Sequence, residues 1–65
     1  MSRENLFNYL DEFVFASEEE VTFATTDFFI REFGDPSYAD LVTIEERADE
    51  YKTARGLHWF FNHNQ

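Results

Sequence analysis

Leu6, Leu10 and Phe13, with Phe7 and Val14 beside them, recur at the i, i+4, i+7 spacing of one face of an amphipathic helix. With Ser2 as N-cap, this pattern predicts a first helix from about Arg3 to Phe15. Ala16-Ser17 interrupts it, and Ser17 followed by Glu18, Glu19 and Glu20 opens a second helix. There the Ser side chain caps free amides, Glu20 closes a capping box, and all three carboxylates sit at the positive end of the helix dipole. The second helix runs to Phe33 and stops at Gly34, with Pro36 just beyond. Val21, Ala24 and Phe28 share one of its faces with Phe29 beside them, while Phe23 and Ile30 point almost the opposite way. A helix apolar on two sides is either buried between neighbours or offers its second face to something else.

Asp35-Pro36-Ser37 starts a short helical turn through Tyr38, Leu41 and Val42. Thr43-Ile44-Glu45-Glu46 reads as a capping box that opens a third main helix with Ile44, Ala48 and Tyr51 inward. Gly56 ends or kinks it. The tail Leu57-His58-Trp59-Phe60-Phe61 is too apolar to fray and is expected to pack back on the bundle, with Asn62 to Gln65 loose. The expected fold is thus all-α, one domain over residues 1–65, a small bundle of three main helices plus a helical turn. The alternative is an α+β arrangement in which Phe13-Val14-Phe15 and Val21-Thr22-Phe23 pair as a hairpin near residues 13–23, since β-branched and aromatic residues alternate there. Against it stand the helix-start residues Ser17 to Glu20 and the lack of a Gly or Asn turn.

Size changes what this pattern has to achieve. A domain of 65 residues buries only about 60% of its unfolded surface, and without Cys it has neither disulfide nor thiolate zinc site to staple it. Thirteen aromatic rings, nine of them Phe, are the available substitute. Enclosing all thirteen within a folded surface of ~4,400 Å² is hard, and two to four are expected to remain partly exposed. The formal net charge is -9, of which residues 1–20 carry -5, residues 21–40 carry -3 and residues 41–65 carry -1. A field of that sign repels nucleic acid and anionic lipid and speeds encounter with basic surfaces. The amino terminus does not resemble a signal peptide, no stretch approaches ~18 apolar residues, and the lack of Cys fits a cytoplasmic protein.

Candidate chemistry is sparse. The two histidines, His58 and His63, lie in the terminal segment with no identifiable nucleophile or partner, and no calcium-loop or Glu-x-x-His signature is present. Three or four short helices offer little room for a pocket of ~300 Å³ or more. No enzyme activity, cofactor or metal is expected. A helix-turn-helix layout around Gly34 fails on charge, because residues 34–46 contain neither Arg nor Lys. Glu45/Asp49 and Glu46/Glu50 form two i, i+4 acid rows, an axial step of ~6 Å that is comparable with the gap between neighbouring phosphates. Five basic residues interrupt this resemblance to a nucleic-acid charge pattern.

These readings favour a small acidic protein-interaction module, a regulator or inhibitor that engages a basic, partly apolar surface on a larger protein such as a nucleic-acid-binding protein. Asp11, Glu12, Glu18, Glu19, Glu20, Glu45, Glu46, Asp49 and Glu50 would steer the encounter. Exposed rings drawn from Phe15, Phe23, Tyr38, Trp59 and Phe60 would anchor it. On size and charge alone, analogy suggests an inhibitor encoded by a phage or mobile element. The alternative is a structural homodimer that buries surplus rings against its own copy. Neither direct nucleic-acid binding nor membrane insertion is expected.

Overall fold

The computed structural model describes residues 3–63. Four helices make up 79% of them, α1 (Arg3–Leu10), α2 (Glu18–Phe33), α3 (Tyr38–Ala54) and α4 (Leu57–His63). No strand occurs among the described residues, so the hairpin alternative is set aside: Val21-Thr22-Phe23 lies within α2 and Phe13-Val14-Phe15 within a loop. Ser2, expected to cap α1, lies outside the described residues, as do Asn64 and Gln65 of the expected loose end. Asn62 and His63 close α4.

α1 ends five residues before the periodicity suggests. The amides of Glu12 and Phe13 donate to the carbonyls of Tyr9 and Leu10, three residues back, so the last turn tightens and unwinds. Two causes combine. Phe13, Val14 and Phe15 are mediocre helix formers, and the chain must reverse for the Phe15 ring to meet Tyr51 of α3, 6.3 Å between centroids.

α2 starts where the sequence indicates. Ser17 is extended (φ -151°), its Oγ accepts from Glu20 N, and the Glu20 carboxylate accepts from the amide of Ala16, one residue before the cap. Gly34 ends it at φ +85°, a left-handed conformation that L side chains rarely adopt, with its amide on the carbonyl of Ile30.

α3 begins at Tyr38 rather than Thr43, so the expected helical turn and third helix are one continuous element. Its N-cap is Ser37, in a reciprocal capping box with Asp40. Thr43 sits inside the helix and its hydroxyl donates to the carbonyl of Ala39, four residues back. Gly56, at φ +69°, separates α3 from α4. The tail thereby becomes a fourth helix that returns to α3 and α2.

The core gathers Leu6 and Leu10 of α1, Val21, Ala24, Phe28 and Phe29 of α2, Ile44, Ala48 and Tyr51 of α3, and Phe61 of α4. Buried Thr25 satisfies its hydroxyl on the Val21 carbonyl at 2.8 Å. The body measures 34 × 22 × 15 Å. In a domain this small the aromatic surplus exceeds expectation: six rings, not two to four, are exposed, namely Phe13, Phe23, Phe33, Tyr38, Trp59 and Phe60.

Candidate functional site

All five basic side chains have a partner among the protein's own carboxylates and rings. Arg3 (3.0 Å) and Arg47 (3.1 Å) share Glu50, Lys52 lies 3.9 Å from Glu18, and Arg55 reaches Asp11 at 2.8 Å. Arg31 lies over the Tyr9 ring, 5.5 Å from its centroid. The five cations that break the acid pattern in sequence therefore turn toward the protein's own carboxylates and rings.

This wiring sorts the candidate acids. Asp11 accepts from the Tyr51 hydroxyl at 2.7 Å and twice from Arg55, which holds its carboxyl down at about 2. Burial first, and then the bond to Asp11, push the Tyr51 hydroxyl up to about 12. Glu18 and Asp49 flank His58, Nδ1 3.1 Å from Glu18 Oε1 and Nε2 2.9 Å from Asp49 Oδ1. Glu20 is engaged at the start of α2 and Glu50 by its two arginines. Glu12, Glu19, Glu45 and Glu46 are exposed, and none of them pairs with a cation among the described residues. Each acid row of α3 thus has one free member, Glu45 or Glu46, and one engaged by the protein's own side chains, Asp49 by His58 and Glu50 by Arg3 and Arg47.

The candidate rings separate in the same way. Phe15 is half-buried against Tyr51. Phe23, Tyr38, Trp59 and Phe60 are exposed, Tyr38 at 84%. Trp59 stacks on His63, 4.5 Å between centroids, and His63 Nδ1–H donates to the Trp59 carbonyl at 2.8 Å. Phe60 leans edge-on against buried Phe61. The candidates do not form one site: Phe15, Phe23 and Glu20 come together, whereas Tyr38 opens α3 and Trp59 and Phe60 lie on α4.

Phe15, Phe23 and Glu20 meet in a cleft of about 390 Å³, a feature for which the sequence leaves little room. It exists because the loop after α1 leaves the bundle and stands beside α2. Phe13, Val14 and Phe15 form one wall, Phe23 and Ala24 the other, with Tyr9 between them. Ring contacts tie the loop wall to the interior. Tyr9 touches Phe28 (5.5 Å) and Phe13 (5.2 Å), and Phe13 touches Phe15 (5.7 Å), which reaches Tyr51. Asp27 and Arg31 add charge to the cleft. They stand i, i+4 on α2, a favourable ion-pair spacing, yet Arg31 lies on Tyr9 and Asp27 is exposed with no cation on it among the described residues.

Phe13 and Val14, which the sequence places on the apolar face of the first helix, line this cleft instead, and Asp27 and Arg31 are not among the candidates drawn from the sequence. A run of three large apolar residues directly after Asp11-Glu12 was the available signal. No group of His, Asp or Glu side chains among the described residues has an arrangement that would hold a metal ion. No helix among them is long and apolar enough to cross a membrane. No protein-family model matches the chain, and no curated protein or solved structure does either.

Proposed function

We propose that this chain is a small, non-enzymatic acidic interaction module of the cytoplasm, a regulator or inhibitor that engages a basic, partly apolar surface of a larger protein. The observation that carries the reading is the fate of the five basic side chains. With each one paired to one of the protein's own carboxylates or rings, a partner meets free carboxylates at Glu12, Glu19, Asp27, Glu45 and Glu46 beside exposed rings. The acids supply steering and selectivity, the rings desolvated contact. Nucleic-acid-binding proteins are a broad class with such basic surfaces, and occupying one by charge mimicry would make the chain an inhibitor, as phage- or mobile-element-encoded proteins of this size and charge can be.

Capture from lysate at low and high salt tests the reading. A partner held at low salt, released at high salt and displaced by duplex DNA supports it. Nothing captured at low salt, or capture indifferent to salt, sinks it.

The six exposed rings also favour a second reading, a homodimer. The two readings respond oppositely to salt. Self-association of a chain of net charge -9 strengthens as repulsion is screened, whereas capture of a basic partner weakens. Light scattering over a concentration and salt series separates them.

A further inference from the structure

We infer that the cleft between the loop after α1 and helix α2 receives a bulky apolar side chain of a partner protein that carries Lys or Arg next to it. The inference rests on the interaction-module reading above and names what one of its surfaces takes.

Three observations specify the occupant. The cleft's volume, about 390 Å³, stands at the low end of the ~300–1,000 Å³ range of ligand pockets, which suits one or two side chains. Its loop wall is braced by ring contacts. Rings at Tyr9 and Phe15 connect it to the core at Phe28 and Tyr51, so an incoming group need not freeze these aromatics. Across from this wall, Phe23 stands 64% exposed one helical turn before Asp27.

The charge in the cleft then selects the flanking group. Asp27 lacks the counterion that its own helix carries four residues later, because Arg31 is engaged on Tyr9. Glu20 lies on the same face of α2, two turns before Asp27, and Glu19 is exposed beside it. A cation beside the docked apolar group satisfies Asp27. A carboxylate there meets like charge, and a second copy of this chain brings a surface of net charge -9.

Short peptide fragments test this on the full chain. Titrating Ac-Lys-Phe-Lys-amide into the isotopically labelled protein is expected to move the amide resonances of Phe13 to Phe15, Phe23, Ala24 and Asp27 to saturation. Ac-Lys-Ala-Lys-amide and Ac-Glu-Phe-Glu-amide should each bind about tenfold more weakly or worse. Phe23→Ala and Asp27→Asn, both exposed positions, should keep the native amide spectrum and weaken the first peptide by about tenfold.

Equal binding of the Phe and Ala peptides would reduce the cleft to a charged surface and overturn the inference. So would saturable shifts confined to Trp59 and Phe60 or to Glu45 and Glu46, the same cleft shifts produced by raising protein concentration alone, or no shift at all. A lysate partner that the double variant Phe23→Ala, Asp27→Asn retains in full overturns the cleft while leaving the interaction reading intact. Failure of the unaltered chain to capture any partner removes that broader reading instead.

Discussion

The Tyr51 hydroxyl donates to Asp11 Oδ1 at 2.7 Å across forty positions of sequence, tying the end of α1 to the last turns of α3. Arg55 completes the knot. Its guanidinium forks onto both Asp11 oxygens and lies 5.4 Å from the centroids of the Phe7 and Tyr51 rings. Asp11 carries negative charge in sequence, but in the structure it is a fastener, and its removal should be felt as lost stability before lost binding.

That arrangement fixes a pH dependence. Asp11 titrates at about 2 in the fold against 3.8 ordinarily, so its contribution to stability is complete above the upper value and is lost as pH falls toward the lower one. Urea midpoints followed from neutral pH downward should therefore fall through that acid window, and Asp11→Asn should flatten this part of the slope. An unchanged slope in the variant would dissociate Asp11 from acid unfolding.

Tyr51 gives the alkaline counterpart. Its folded value of about 12 lies above the usual 10.0, so the stabilisation is present below pH 10.0 and is lost as pH rises through about 12. Ultraviolet titration should show one tyrosinate forming late. In Asp11→Asn that step should move down toward, though not to, 10.0, because burial remains when the charge is gone. A late step unmoved by the substitution would assign the shift to burial alone.

Helix starts make a sharper comparison. Ser37→Ala removes the side-chain half of a capping box and should cost ~1 kcal/mol, within a range of about 0.5–2. Thr43→Ala, inside α3, should cost no more than about 0.5 kcal/mol. Denaturant melts decide it, and a larger loss at Thr43 than at Ser37 would return the helix start to Thr43.

Core and surface rings should separate just as cleanly. Phe28→Ala should cost about 3–5 kcal/mol, a large share of the roughly 3–10 kcal/mol that a chain this short has in total. Phe23→Ala and Trp59→Ala should stay within about 0.5 kcal/mol of the parent. A destabilised Phe23→Ala would mean that the cleft wall belongs to the folding core.

What the sequence made legible follows from where local signals agreed. Ser17, three glutamates and Gly34 bracket α2 because cap, dipole and stop all act within a few residues. α3 was misplaced because two boxes of similar chemistry lie six residues apart, and the one used closes with Asp40 instead of the usual Glu or Gln. The end of α1 was misjudged because periodicity continues through Phe13 while a tertiary contact, Phe15 on Tyr51, pulls the chain away. The cleft and the pairing of the cations with the protein's own acids and rings are illegible in the sequence for the same reason. Both depend on which side chains meet across helices, as when Arg31 lies on Tyr9 although Asp27 stands at a favourable pairing distance along its own helix.

Val14 stands wholly in solvent between two rings on an irregular stretch of chain. Segments of that kind are where proteases cut most readily, and a chymotrypsin-like enzyme prefers aromatic residues. Phe13, exposed in this loop, therefore offers such an enzyme a place to cut. A partner seated beside it would leave a protease footprint there, so survival of the intact chain under digestion reports occupancy without a label or a known ligand.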